Sequence, residues 1–515
     1  MDLRVHLFEL TSANAAAHER IAAMSASRRD ALAKEAQREA GNAGLLRGTD
    51  PIPLVLSPVA LPREEFAALG RASQLVVSAL VKVARELIDR RPEKARLLFS
   101  HLSPLELEAL RLRSHEAEEL VLGRVDWFVK ADGRPRALEV NATIPAMPVY
   151  SDAAARGFLT AVGRGDLFAK VQSNAAWVVE SFLAAARGNG RKPPMRVQLL
   201  HRAGDPQLPE MKGLAVRFGE RGCDARPVTP TEVVLDGEGA IYRHIFARYV
   251  EPKSFLAQAF LDPVRYCIWN RVDGWLETKG LLAELSLSAG SSTALTAEEK
   301  DAAQSLVPWT RLLDEVTDAE LGDGDGVILK RSHDYGGKSV VIGRDAQPDG
   351  FRLALRAARG EEPGSWVVQE LVDAPAIDRF VAQPQGAVRG PLHLDISTYA
   401  SLIPGVSHGG SVVRGAAGGV AAFLGPAFGD LLEEADREEV AKPVDARVVG
   451  RVAVLLVEAA ELPVLVAAEL VEAALVARVV DRRRHASRPL GREQEVVVGG
   501  AQRTFVRLPV HEASP

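Results

Sequence analysis

The sequence predicts an α/β (α+β) fold with helical additions at both ends, and three observations carry that reading. Residues 14 to 39 are rich in Ala, Arg and Glu without proline, and Phe66, Leu69, Leu80, Val83 and Leu87 recur near helical spacing. Short β-rich runs between turn signals then recur from VLGRVDWFVK (121 to 130) to SVVRGAAGGV (411 to 420). The last 85 or so residues return to Ala, Val, Glu and Arg. With 515 residues, 47% of them hydrophobic, the chain is long enough for two to four cores.

Texture divides the chain into five stretches. Residues 1–119 read as mainly helical. Residues 120–187 open with two strands joined at Ala131-Asp132-Gly133, a hairpin. In 188–285, GNGRKPP is a linker candidate, followed by a strand (195 to 201), a helix near 210 to 221 and a strand at 240 to 247, the alternation of a small α/β subdomain. Residues 286–429 hold GVILKRSHDYGGKSVVIG, WVVQELV and HLDISTYASL, strands separated by turns. Residues 430–515 read as a helical tail of unknown role, with a packed helical pair, a dimerisation element and sequence poorly tied to function as the alternatives.

A net charge of -5 gives no source for broad attraction to nucleic acid. Two cysteines, Cys223 and Cys267, exclude a disulfide framework and a multi-cysteine metal centre and suit a reducing compartment. The opening MDLRVHLFEL lacks the apolar core of a signal peptide, so a cytoplasmic location is expected. The most apolar stretch, 452 to 480, is broken by Glu458, Glu461, Pro463, Glu469 and Glu472, which argues against a membrane span. His244, His333, His393 and His408 share no metal-ligand spacing, and neither HExxH nor GxSxG occurs.

Chemistry is concentrated at two places. On the hairpin, Arg124 and Asp126 share one face of their strand, and Glu139 and Asn141 share one face of theirs. Two carboxylates and an amide oxygen suit a hard cation completed by phosphate oxygens, although an edge hairpin with a solvated polar face has the same pattern. The second place is Lys330, at the end of an apolar strand, followed by Asp334-Tyr335-Gly336-Gly337-Lys338-Ser339. Adjacent glycines let backbone N-H groups approach phosphates, and the lysines supply charge, yet a Gly-Gly hairpin turn reads the same way.

Together these motifs resemble the ATP-grasp ligases. VDWFVKADGRPRALEVN after Gly123-Arg124 looks like their metal-binding hairpin, with Asp126 thirteen residues before Glu139 and Asn141 two after it. LKRSHDYGGKSVVIG resembles their glycine-rich loop, and VVQELV their hinge strand beside adenine. Here the hairpin precedes the loop by some 200 residues, the order of the circularly permuted branch to which glutathionylspermidine synthase belongs. EVNATIPAMPVY, IPLVL (52 to 56), IYRH and NRVDGWLETKGLLAEL also resemble permuted members, over residues 50 to 425 or so.

The resemblance implies a circularly permuted ATP-grasp fold and an ADP-forming ligase joining a small-molecule or peptide carboxylate to an amine, through an acylphosphate, with ATP and Mg²⁺. Asp126, Glu139 and Asn141 would hold the metal, and Arg124 and Arg414 would act as catalytic cations. Lys279, Lys330, Tyr335, Gly336, Gly337, Lys338 and Ser339 would contact the phosphates, the loop being mobile until nucleotide binds. Gln369, Glu370 and Val372 would border the adenine. Asp395 matches a strand aspartate of permuted members but serves equally as a structural residue, and His333 enters the loop. The family's usual proline after the lysine is Arg331 here, and GAAGGVAAFLGPAFGD replaces an expected Gly- and Asn-rich segment. A silent nucleotide-binding domain and a phosphotransferase remain alternatives.

Overall fold

The computed structural model describes residues 3–5, 12–57, 59–113, 120–334, 339–383, 385–416, 452–454 and 456–458. Helices Ser12–Ala23 and Ala26–Asn42 cover the Ala-rich start; Ser25, whose side chain accepts the Arg28 N-H, caps the second. Helix Arg63–Arg90 carries Glu64 and Glu65 in its first turn and Arg90 in its last, charges that complement its dipole. It is long and apolar enough to cross a membrane by composition, but buries Phe66, Leu69, Leu80, Val83 and Leu87 in the largest apolar core. Its Ser73 hydroxyl accepts a hydrogen bond from the indole of Trp127 (3.2 Å), which ties this helix to the hairpin.

The predicted hairpin is present as Gly123–Val129 and Pro135–Asn141. It lies at one edge of a seven-stranded sheet built on the long strand Gly386–Ala400. That strand pairs antiparallel with Gly123–Val129 along one side and with Ser411–Ala416 along its second half, while its first half pairs with Ala376–Gln383. Leu54–Val55, from the mainly helical N-terminal stretch, joins the same sheet beside Ala376–Gln383.

Two four-stranded sheets follow, beside the two-stranded pairs Leu46–Arg47 with Asp50–Pro51 and Leu456–Glu458 with Val59–Leu61. Arg196–His201, Asp224–Val228, Ala240–His244 and Ile268–Trp269 pair in parallel, with helix Leu208–Gly219 connecting the first two, as a crossover connection requires. Thr310–Leu312, Trp366–Glu370, Val327–Arg331 and Val340–Ile342 pair antiparallel. The whole is an α+β protein. Within the stretch read as a helical tail, the two described runs, Val452–Val454 and Leu456–Glu458, are strands. Val452–Val454 pairs with Ser411–Ala416, and Leu456–Glu458 with Val59–Leu61. Valine-rich runs fit a pleated surface, and Val452–Val454 lies between Ser411–Ala416 and Leu54–Val55, pairing with both. The remainder of 430–515 lies outside the described residues.

Helix Pro148–Ala161 packs on Ala26–Asn42 through Gly157, where an added Cβ would stand 2.5 Å from Cβ of Ala40. Gly157→Val is therefore expected to lower the unfolding free energy read from urea denaturation by about 1–3 kcal/mol of overpacking, whereas Gly188→Val, with nothing within 4 Å of the new Cβ, should cost less.

Candidate functional site

The hairpin register sets Asp126 opposite Glu139 and Arg124 opposite Asn141, so all four side chains share one face of the sheet. Asp126 is buried and fully engaged. Its carboxylate accepts from Arg124 Nε (2.7 Å) and Nη2 (2.9 Å), from Arg414 Nη2 (2.9 Å) and from Asn141 Nδ2 (3.1 Å). Arg414 lies on the next strand but one, opposite Asp395, whose carboxylate it also holds at 2.6 Å. Two guanidiniums and two carboxylates thus form a charge-balanced quartet. Burial by itself would raise the Asp126 pKa, but Arg124 and Arg414 outweigh it and hold the carboxyl well below the usual range. Asp395, left open between a functional and a structural role, belongs to this quartet. Arg124 is also anchored by the Ala146 carbonyl, at 3.1 Å.

Glu139 is the accessible carboxylate of the set. It lies 3.6 Å from Lys279 Nζ, which opens helix Lys279–Ser288 and donates to the Asp334 carbonyl at 2.6 Å. Backbone and side chain of Ser332 bind the N-H groups of Lys279 and Gly280 respectively, so the strand bearing Lys330 and the helix bearing Lys279 are fastened together. Lys330 is buried, and its ammonium donates to Gln369 Oε1 at 2.7 Å. Burial pulls its pKa down to about 8; Glu139 and Asp126 oppose the shift and Lys279 adds to it. Ser339 stands in the left-handed region (φ 52°) and its hydroxyl donates to Asp334 at 2.5 Å. Tyr335, Gly336, Gly337 and Lys338, with the mobility expected of their loop, lie outside the described residues.

The hinge residues adjoin the hairpin. Glu370 accepts from Arg136 of the hairpin at 2.9 Å. Gln369 is buried and fixed by Thr310 Oγ1 at 3.0 Å. Val372 is buried with Phe128, Ile328, Ile342, Ala374 and Ala416, an apolar cluster between the two antiparallel sheets. The structure therefore brings Asp126, Glu139, Asn141, Lys279 and Lys330 together and sets Glu370 beside Arg136 of the hairpin.

A solvent-open cleft of about 550 Å³ runs from Glu139, Asn141 and Lys279 past His333 to His101, Glu106, Thr143, Gly274 and Glu277. Sequence reading missed most of this far end, because its residues come from separate segments with no shared motif. Glu277 anchors the chain leaving the hairpin by accepting the N-H groups of Ala142 (2.7 Å) and Thr143 (2.5 Å). His101 stacks on His333 with centroids 4.6 Å apart. Burial, His333, Arg248 and Lys279 push the His101 pKa down to about 3, so its ring is neutral at physiological pH.

Among the described residues no three His, Cys, Asp or Glu side chains gather as a metal centre. The trio Asp126, Glu139 and Asn141 offers the hard oxygens that Mg²⁺ takes, but Asp126 already accepts from Arg124, Arg414 and Asn141. Glu139, bound at 3.6 Å to one lysine and open to the cleft, is its least committed member.

The class this arrangement defines is an α+β protein with a lysine- and carboxylate-lined cleft beside a seven-stranded, mainly antiparallel sheet and a four-stranded antiparallel one. Its fold is shared with a glutathione synthetase-like effector from Globodera pallida, over 76% of this chain and 96% of that one, at 13% identity and a TM-score of 0.52. A putative gamma-glutamylcysteine synthetase from Methylobacillus flagellatus aligns over 80% of this chain and 97% of its own, at 13% identity and a TM-score of 0.36. No family model and no curated protein matches the sequence.

Proposed function

We propose that this protein is an ATP-dependent carboxylate-amine ligase of the ATP-grasp kind, with its nucleotide elements in circularly permuted order. The observation that carries this reading is the meeting of Lys279 and Glu139 at one cleft, with buried Lys330 on the strand that Ser332 fastens to the Lys279 helix, close enough for Glu139 and Asp126 to bear on its charge. A fold shared with a protein described as glutathione synthetase-like supports a ligase scaffold.

In this reading Lys279 and Lys330 take the phosphates of ATP, with the 335–339 loop over them, and Gln369, Glu370 and Val372 border the adenine. Glu139, with Asp126 and Asn141 beside it, would hold Mg²⁺, and the ion would supply neutralising charge beside the phosphates. Arg124 and Arg414 keep Asp126 ionised and oriented, and add positive charge beneath the reacting groups. A substrate carboxylate oxygen attacks the γ-phosphorus as the bond to ADP breaks, giving an acylphosphate. The amine nitrogen then attacks the acyl carbon, phosphate departs with the C-O electron pair, and the nitrogen loses its proton to leave an amide. The test is ADP release with Mg²⁺ across amino acids, small peptides and polyamines; release no greater than without substrate throughout would overturn the reading.

Lys330 makes a pH prediction. Phosphate contact raises its pKa above the unliganded value of about 8, so the affinity it contributes is full below that value and is lost as pH rises through and above it. ATP titrations across that interval should show weakening in the parent and a flatter profile in Lys330→Met.

A further inference from the structure

Glu139 and Asn141 lie at the end of the hairpin strand Pro135–Asn141, whereas Lys279 opens a helix that Ser332 fastens to the strand of Lys330. Residues 270–279 clasp the two together. Asn270, buried, binds both ends of the hairpin: its side-chain oxygen accepts the Leu122 N-H (3.0 Å), and its Nδ2 donates to the carbonyls of Leu122 (2.7 Å) and Ala142 (2.9 Å). Glu277 completes the clasp beside Lys279. Its Oε1 accepts the N-H groups of Ala142 (2.7 Å) and Thr143 (2.5 Å), and the Thr143 hydroxyl adds a further bond to the carboxyl. Gly274, in the same turn, permits the close approach, since a Cβ there would stand 3.4 Å from Thr143 Oγ1 and 3.0 Å from Glu106 Oε1.

Spacing makes this clasp a positioning device. Glu277 stands two residues before Lys279, and its bonds fall on Ala142 and Thr143, just past Glu139, so the lysine is carried back over the strand to meet that carboxylate at 3.6 Å. The bonds of Ser332 fix Lys279 to the four-stranded sheet and do not reach the hairpin. Arg136 ties that sheet to the start of the hairpin's second strand through Glu370, which leaves the end bearing Glu139 and Asn141 to Asn270 and Glu277. Both backbone bonds of Glu277 go to one oxygen, and burial pushes its carboxyl pKa up, so the contact needs an acceptor oxygen rather than a charge.

We infer that Glu277 is a positioning residue of the nucleotide site: it holds the turn carrying Lys279 against the end of the hairpin, so that the Lys279 ammonium stands beside Glu139. This rests on the ligase reading above only for what Lys279 then binds.

The experiment uses the full chain, with Mg²⁺-ATP affinity measured by calorimetry and amide exchange measured by mass spectrometry without nucleotide. Glu277→Ala should weaken ATP about tenfold, and Glu277→Gln, which keeps the acceptor oxygen, should stay within about twofold of the parent. In a Lys279→Met background Glu277→Ala should cost nothing further, because its effect passes through that lysine. Exchange in Glu277→Ala should quicken at residues 142–143 and over 278–282, and stay unchanged in the helix Arg63–Arg90. Parent-like ATP affinity in Glu277→Ala overturns the positioning role, as do losses that multiply in the double variant, the result a purely structural role would give. If Glu277→Ala does not fold, Glu277→Asp, which draws the same carboxyl back by one methylene, is judged by the same criteria. A parent that binds no ATP overturns the ligase reading instead, and exchange then decides: quickening confined to 142–143 overturns the positioning role, and quickening that extends over 278–282 upholds it.

Discussion

Glu139→Ala is expected to cut ADP release by roughly 100-fold or more while leaving the unfolding midpoint near the parent's. Glu139 is only partly buried, faces the cleft, and its printed partner is Lys279 at 3.6 Å, so truncation opens no apolar cavity. What it removes is the accessible carboxylate of the trio that suits Mg²⁺. Steady-state ADP release and circular dichroism on the same preparation check both halves. Parent-like turnover would move the catalytic centre elsewhere.

Asp126→Ala, one cross-strand pair away, should behave differently and lose stability as well as activity. Its carboxylate is shared by Arg124 and Arg414, both buried, and removing it strands two guanidiniums with Asp395 as their remaining counter-charge. Breaking a buried pair by deleting one partner costs about 3–5 kcal/mol, against well under that for an exposed pair. A fall of that size in urea unfolding, absent in Glu139→Ala, is the expected result. The sign with pH follows. Because the folded pKa of Asp126 is depressed, its stabilising contribution is complete above the ordinary carboxylate range and is lost only as pH falls towards its low folded value. The variant and parent should therefore differ across neutral and mildly acid pH and converge only in strong acid. An equal midpoint for the two at neutral pH would show that the quartet contributes no net stability.

The contrast between these neighbours shows what a strand pattern reveals. Period-two alternation put Arg124, Asp126, Glu139 and Asn141 on one face, and the observed register agrees. It did not separate the buried, doubly paired Asp126 from the accessible Glu139, because that difference depends on Arg414 arriving from a strand 288 residues away. In the tail, Ala, Val and Glu suggested helix, whereas the described residues 452–454 are a strand between Ser411–Ala416 and Leu54–Val55.

By itself, the sequence determined the elements whose signals are local: the early helices, the hairpin and its polar face, the strand ending at Lys330, and the order of motifs that resembles permuted ATP-grasp ligases. Backbone pleat and helical pitch write those signals within a few residues. Tertiary structure alone decided that Asp395 and Arg414 complete a buried quartet, that Lys279 reaches Glu139, and that Glu277 holds the end of the hairpin. Those groupings join segments more than a hundred residues apart, and their proximity is set by how separate sheets and helices pack, which no local periodicity records.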